Sequence, residues 1–337
     1  MIPFWYPQSI DLGFLEFHVF GIMVGIGVLS GSWLAQRRAE ELDLNPRVLA
    51  DLALWVVVIG FIFAHLVSVI FYFPERIVGE ACAVASDCFI DGEQFVCQAN
   101  GKCDNGSLFA LVEIWNGISS FGGFLGAVIA LATFFRFEKI PVIPGILVLE
   151  GGKGRPAMKY VECIAYGFAM GWFWGRMGCF SAHDHVGVVS DSFLAVNFPD
   201  DWRSGVPNDP TVGAPGHTPR MDLGLMEVYW SAAMFAWFHF WARKRTLRPG
   251  WYTAMMCIMY APYRFWLDTL RATDIGTPDT RYLADSFPPG ITPGQIGAVL
   301  VFALGVGIWV WGGKKMKDEE YMAWTDPLPP EDEPAKA

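Results

Sequence analysis

The chain has 337 residues, of which 53% are hydrophobic and only 17% charged, with a mean hydropathy of +0.33. That is too apolar for an ordinary water-soluble fold. The 24 Lys and Arg against 34 Asp and Glu leave a net charge of −10, which excludes nucleic acid as a main partner. The 36 Gly and 15 Trp fit packed membrane helices with aromatic belts.

Seven windows are long and apolar enough to cross a bilayer, which needs about 20 apolar residues per helix. They are residues 17–35, 52–72, 118–135, 160–180, 223–241, 251–270 and 292–311. The fold class they predict is an all-α polytopic membrane protein of seven transmembrane helices. In chain order this gives an N-terminal arm with two spans (1–72), a Cys-rich loop (73–117) and a third and fourth span joined by a polar loop (118–181). A head of irregular structure (182–222), three further spans (223–312) and a disordered, Pro-rich acidic tail (313–337) follow. Arg37 and Arg38 follow the first span and nothing basic precedes it, so it reads as a retained helix and not as a cleaved signal peptide.

Basic residues gather on the cytoplasmic side of a membrane. Sorted by the seven windows, sixteen Lys and Arg fall on one side, six on the other, and two, Arg176 and Arg264, inside the windows. The N-terminus is therefore expected outside and the C-terminus in the cytoplasm. The loop after the second span then lies outside, where disulfides form, and it holds Cys82, Cys88, Cys97 and Cys103. Two disulfides are expected rather than zinc, because the short C-x₂-C knuckle is missing. Three connectivities are possible; Cys82 with Cys97 and Cys88 with Cys103 is the expected one. Cys163, Cys179 and Cys257 fall in apolar windows and read as small packing residues. The cytoplasmic stretch FRFEKIPVIPGILVLEGGKGRPAMKY reads as a loop, lying on the inner leaflet or solvated.

An arginine inside a membrane costs from ~3 to over 10 kcal/mol, so it faces a cavity or a partner. Arg176 stands in GWFWGRMGCFSAHDHVG near the outer end of the fourth span. Arg264 stands in YAPYRFWLDTLR, with Tyr260 four residues before it and Asp268 four after, all on one helical face. Pro262 is expected to bend that helix. The bland reading is a pair of local ion pairs, Arg264 with Asp268 and Arg176 with Asp184 or Glu227. Two guanidiniums opening on one cavity would instead suit a bidentate hold on a phosphate, and the abundant phosphate in a membrane is a phospholipid headgroup.

These segments resemble the prolipoprotein diacylglyceryl transferases. GRMGCFSAHDHVG is similar to that family's signature at Gly175, Arg176, Gly178, Cys179, Phe180, Ala182 and Gly187. YAPYRFWLDTLR resembles its Y-x-x-x-R-x-x-x-E element, with Asp268 in place of the acid. GISSFGGFLGA, MDLGLMEVYW and ITPGQ resemble further elements in the same order. The resemblance implies transfer of the diacylglyceryl group of phosphatidylglycerol to the lipobox cysteine thiol of a prolipoprotein, with no metal and no cofactor. It implies a multi-pass protein of the bacterial inner membrane, its active site facing the extracytoplasmic side and the prolipoprotein signal peptide as its second substrate; a monomer is expected.

On that reading Arg176 and Arg264 hold the lipid phosphate, Asp184, Glu227 and Asp268 orient them, Tyr260 donates to the lipid head or leaving group, and Gly187 belongs to the lipid site. The departures are Phe121 and Phe20, where the family carries a histidine and a tyrosine, and His65, where it carries an arginine. His183 and His185 flank Asp184 beyond Arg176, and either is a candidate base for the thiol proton. The departures leave two alternatives: a paralogue that binds lipid or moves it to another acceptor, and an anion or lipid transporter.

Overall fold

The computed structural model describes residues 1–7, 10–11, 16–79, 82–83, 89–90, 93–94, 96–98, 102–103, 106–113, 119–143, 146–199, 217–245, 247–272 and 291–315. Its helices are α1 (Val19–Glu41), α2 (Pro46–Val67), α3 (Glu75–Val78), α4 (Ser120–Phe134), α5 (Ala157–Ala182), α6 (Leu223–Ala236), α7 (Trp251–Asp268) and α8 (Pro293–Lys315). Wider π-type turns extend α2 over Ser68–Tyr72 and α6 over Trp237–Trp241. The strands are short: β1 (Ile2–Pro3), β2 (Ile10–Asp11), β3 (Glu16–Phe17), β4 (Phe89–Ile90), β5 (Glu93–Gln94), β6 (Lys139–Ile143), β7 (Leu147–Glu150), β8 (Val186–Val189), β9 (Val196–Pro199) and β10 (His217–Asp222).

Each of the seven apolar windows holds a helix. Three stretches, Val19–Glu41, Pro46–Phe71 and Gly294–Gly312, are long and apolar enough to cross a membrane, and α4 to α7 occupy the other four windows. The chain divides into two compact units, one of residues 50–155 and one of residues 1–49 with 156–337.

In the unit of residues 50–155, α2 and α4 lie close because glycines face each other. A Cβ on Gly126 would sit 2.9 Å from the Cα of Gly60. His65 is 1% exposed and its Nε2 lies 2.8 Å from the carbonyl oxygen of Ala110, the setting of a packing histidine. Cys82 and Cys97 form a disulfide, while Cys88 lies outside the described residues. The polar stretch expected as a plain loop is an antiparallel hairpin of β6 and β7, with Ile140 opposite Leu149 and both buried. Alternation of apolar Ile140 and Leu149 with charged neighbours gives that segment a strand period of two, which its flanking Gly and Pro obscure.

In the larger unit, α1 and α5 carry one small-residue motif each, Gly27-x₃-Gly31 and Gly167-x₃-Gly171. A Cβ on Gly27 would stand 2.9 Å from the carbonyl oxygen of Gly171, and one on Gly31 would stand 3.0 Å from that of Gly167. Such spacing lets two backbones touch, the contact that holds helices together in an apolar solvent. Around this pair, Leu34, Tyr166, Ala169, Met234, Phe238, Trp251, Tyr252 and Met256 form one buried cluster joining α1, α5, α6 and α7.

Helix ends in this unit are closed by side chains, which matters because each end leaves four backbone groups without partners. Glu162 of α5, 4% exposed, accepts the backbone N–H groups of Tyr252 (2.8 Å) and Thr253 (3.0 Å) and so caps α7. Thr292 and Gln295 form a reciprocal capping box at the start of α8, with N–H to side-chain distances of 3.0 and 3.1 Å. Asp222 caps α6 by accepting Leu225 N–H at 2.9 Å. The helix α7 runs unbroken from Trp251 to Asp268 past Pro262.

The segment expected as an irregular head contains a sheet. Strands β1, β9, β10 and β8 lie side by side in that order, β1 parallel to β9 and the rest antiparallel. Its apolar side chains, Val196 and Phe198, pack with Phe180, Leu225 and Val228. The all-α expectation is thus corrected: a small β layer lies beyond the end of α5. Residues 200–216 of the head and the tail 316–337 lie outside the described residues.

Candidate active site

Helices α5, α6, α7 and α8 each bring a polar residue to one place. Arg176 on α5 directs Nε to Oε2 of Glu227 on α6 at 2.5 Å, and Arg264 on α7 directs Nη1 to Oε1 of the same carboxylate at 3.1 Å. The other edge of Arg264 reaches Asp268, one turn on, with Nη2 to Oδ1 at 3.0 Å. Arg271 meets that oxygen with Nε at 2.8 Å, and the Thr292 hydroxyl of α8 donates to Oδ2. The result is a ladder of alternating charge: Arg176, Glu227, Arg264, Asp268, Arg271.

The two carboxylates are almost fully buried, Glu227 at 1% and Asp268 at 2% side-chain exposure, while Arg176 and Arg264 keep 11% and 15%. Buried acids are stable as anions only when paired, and here each is held by two guanidiniums. Among the described residues the ladder joins three guanidiniums and two carboxylates.

Aromatic residues frame it. The Arg176 guanidinium lies 4.4 Å above the Trp172 ring, a cation–π contact. Tyr260 sits between the first two rungs, its hydroxyl 3.4 Å from both Arg176 Nη2 and Glu227 Oε2. It packs edge-on against Trp172 and Trp230, with ring centres 5.5 and 5.2 Å away. Phe20 lies against Gly178, where an added Cβ would meet its ring at 3.1 Å. The side chain of Phe121 is outside the described residues.

The residues past α5 divide sharply. His183 takes a left-handed backbone (φ 48°) and its side chain is 0% exposed. Its Nδ1 lies 2.6 Å from Asp222 and its Nε2 3.0 Å from the carbonyl oxygen of Trp5, inside a cage of Phe4, Phe180 and Phe198. With both ring nitrogens engaged and no exposed surface, His183 does not suit the expected role of base; it anchors the turn. His185 and Asp184 lie on the outer side of that turn, with 20% and 39% exposure. They stand near Cys179, whose Sγ is 3.9 Å from Arg176 Nη1.

Gly187 also takes a different part from the one expected. It pairs with Arg271 in an isolated antiparallel bridge, and a Cβ there would come within 2.7 Å of Leu270 O and 2.8 Å of Met221 O. Gly187 therefore lets the chain bearing Arg271 lie flat on β8, and so positions the last rung of the ladder. Sequence reasoning missed Arg271 itself, which had been sorted as an outer-loop charge, although it follows Asp268 at the i, i+3 spacing that puts two residues on one helix face.

A helical protein with apolar helices of membrane-crossing length and an arginine–carboxylate ladder buried among its helices is of the membrane type. More narrowly, the chain belongs to the prolipoprotein diacylglyceryl transferase family, whose profile matches residues 7–311. It is similar to the phosphatidylglycerol–prolipoprotein diacylglyceryl transferase of Chromohalobacter salexigens, with 23% identity over 94% of this chain and 96% of the relative. The transferase of the same name from Geobacillus kaustophilus is 24% identical over 92% and 96% of the two chains. That of Nitratidesulfovibrio vulgaris is 25% identical over 90% and 92%.

Proposed function

We propose that this protein transfers the diacylglyceryl group of phosphatidylglycerol to the lipobox cysteine thiol of prolipoproteins. The observation that supports the reading is the meeting of Arg176 and Arg264, from two different helices, on one buried carboxylate beside Tyr260. A phosphodiester bears one negative charge, and preorganised guanidiniums in a low-dielectric site are its natural counterpart. In this reading the chain spans the bacterial inner membrane seven times, N-terminus outside, with the ladder towards the extracytoplasmic side.

The ladder's chemistry follows from how charge moves. The thiolate sulfur attacks the glyceryl carbon next to the phosphate; the C–S bond forms as the C–O bond to phosphate breaks. The electron pair passes to the phosphate oxygen, so a monoanionic diester becomes a dianionic glycerol phosphate. Arg176 and Arg264 hold that phosphate, and Arg271 shares the Asp268 carboxylate with Arg264. Glu227 and Asp268 keep the guanidinium planes in place, and Tyr260 donates its hydroxyl to the lipid head. The thiol proton goes to His185, the partly exposed imidazole of the outer turn. A preorganised cation that meets developing charge is worth about 10²–10³ in rate.

The test is complementation of a strain depleted of its own transferase, with membrane expression verified. Rescue that disappears with Arg176→Ala supports the reading. Failure of the wild-type protein to rescue, together with no thioether formed on a lipobox peptide in phosphatidylglycerol vesicles, refutes it.

A further inference from the structure

We infer that a cavity at the cytoplasmic end of α1, α5 and α6 is a second phosphate site, shaped for the headgroup of an anionic phospholipid of the inner leaflet. The site needs the membrane orientation of the transferase reading but none of its chemistry.

The cavity has a volume of about 560 Å³ and lies wholly within the larger unit. That size suits a headgroup, since small-ligand sites run from about 300 to 1,000 Å³. Three arginines line it, Arg37 and Arg38 from α1 and Arg243 from the turn Ala242–Lys244 after α6. Tyr166 of α5 and His239 of the π-type turn complete the polar lining, with Tyr166 Oη 2.7 Å from His239 Nδ1.

Glu41 fixes two of the guanidiniums. Its carboxylate accepts Arg38 Nη1 at 2.8 Å and Arg243 Nε at 3.0 Å, which ties the end of α1 to the end of α6. Arg38 Nε is buried and, among the described residues, meets no hydrogen-bond acceptor. Leaving such a donor unsatisfied is costly, and a phosphate oxygen is an acceptor that a guanidinium edge matches well. Arg37 is less constrained: it is exposed, and its contact with Glu40 is a surface pair of the kind that contributes little. It can turn from Glu40 to a ligand at small cost.

The surface beside the cavity points to the rest of the ligand. Leu29, Trp33 and Arg37 follow one another at the i, i+4 spacing, so one stripe of α1 runs from aliphatic through aromatic to cationic. Leu29 and Trp33 are exposed, as is Phe240 next to His239. The Arg37 guanidinium lies 5.7 Å from the centre of the Trp33 ring. A soluble phosphate ester has no use for such an apolar skirt, whereas a phospholipid has acyl chains to lay along it, with tryptophan at headgroup level.

This site is separate from the ladder. Tyr166 and Arg176 are ten residues apart on α5, about 15 Å along the axis at 1.5 Å per residue. A phosphate in the cavity therefore belongs to a different lipid molecule from one on Arg176 and Arg264.

Native mass spectrometry of the full-length protein in detergent, with dioleoyl-phosphatidylglycerol added, is expected to show two retained lipids per chain. Arg37→Gln combined with Arg38→Gln should retain one, the affinity of the lost site falling about tenfold or more, the scale of one charge-assisted hydrogen bond. Because Arg38 also holds Glu41, Arg37→Gln alone is the second variant; its exposed position spares the fold, and retention should still drop. With dioleoyl-phosphatidylcholine, whose headgroup carries no net charge, the arginine variants should make no difference. Unchanged retention of phosphatidylglycerol in both variants overturns the site, and an equal loss of phosphatidylcholine overturns its preference for an anionic headgroup. Displacement of the cavity lipid by glycerol phosphate overturns the lipid as occupant and gives the site to free phosphate esters. Arg176→Ala should empty the ladder and leave the cavity lipid in place. If Arg176→Ala keeps both lipids and the wild type transfers nothing to a lipobox peptide, the transferase reading falls while the cavity site stands.

Discussion

Arg176 and Arg264 hold opposite oxygens of a single carboxylate, that of Glu227, which is 1% exposed and lies on the helix between theirs in sequence. Neither arginine has its own private counter-ion at this rung. Their separation is set by the width of one carboxyl group, while Arg176 also reaches Tyr260 and Cys179 and the other edge of Arg264 reaches Asp268. A shared acid thus works as a spacer that fixes the distance between two guanidiniums.

Removing that spacer should be worse than removing either arginine's charge elsewhere. Glu227→Ala would leave two buried guanidiniums facing each other, a loss of about 3–5 kcal/mol by the usual cost of breaking a buried pair. Glu227→Gln keeps the shape but not the charge and should be milder. The expected order of thermal midpoint in detergent is wild type, then Gln, then Ala, with transfer below detection for Ala. Equal midpoints for all three would show that the carboxylate does not hold the ladder.

Arg271 tests the charge balance. Arg271→Gln leaves Asp268 with Arg264 and Thr292 as partners, so the fold should persist, while the ladder loses one of its three cations. The transfer rate should drop by about 10²-fold, the scale of one lost electrostatic donor. Arg271→Lys should recover part of it. Rates within a factor of about two of wild type for Arg271→Gln would remove Arg271 from the mechanism.

His183 and His185 should separate cleanly, though only one residue lies between them. His183→Ala deletes the partner of Asp222 and leaves a hole among Phe4, Phe180 and Phe198. A stability loss of about 2–4 kcal/mol is expected from the emptied cage and the lost hydrogen bond to one carboxylate oxygen of Asp222. His185→Ala removes a side chain that keeps 20% exposure outside the aromatic cage, so the thermal midpoint should hold while transfer slows. The reverse pattern would exchange the two assignments.

How much of this was readable beforehand depends on the range of the interaction. Arg176, Glu227, Arg264 and Asp268 stood out because charge inside an apolar window needs a partner, and the i, i+4 spacing of Arg264 and Asp268 is local. The sheet was not readable. Strand β1 is two residues long and pairs with Val196 and Asn197, far along the chain, and two residues carry no periodicity. The burial of His183 follows from the same long-range pairing, since it depends on Trp5 and Asp222. Arg271 is hidden from the sequence because it lies past the end of α7, where its place is set by the bridge to Gly187, far along the chain. Glycine was read as a composition signal for close packing, but which pairs meet is a matter of tertiary register.

The pair α1 and α5 makes that register testable. A Cβ on Gly167 would press into the carbonyl oxygen of Gly31 and come within 2.9 Å of the Ala35 Cβ, both on a helix that cannot yield locally. Gly167→Leu should therefore force the helices apart. Because α5 also carries Arg176, the displacement reaches the first rung of the ladder nine residues on, more than two turns away. Overpacking costs about 1–3 kcal/mol where a core can adjust, and more where backbone meets backbone. The expected result is loss of folded protein from detergent extracts, or a lowered midpoint together with lost transfer. Gly175→Ala is the matched control: its added Cβ meets nothing within 4 Å, although it lies next to Arg176. It should fold and transfer as wild type does. If Gly167→Leu behaves like Gly175→Ala, close contact between α1 and α5 is not what holds Arg176 in position.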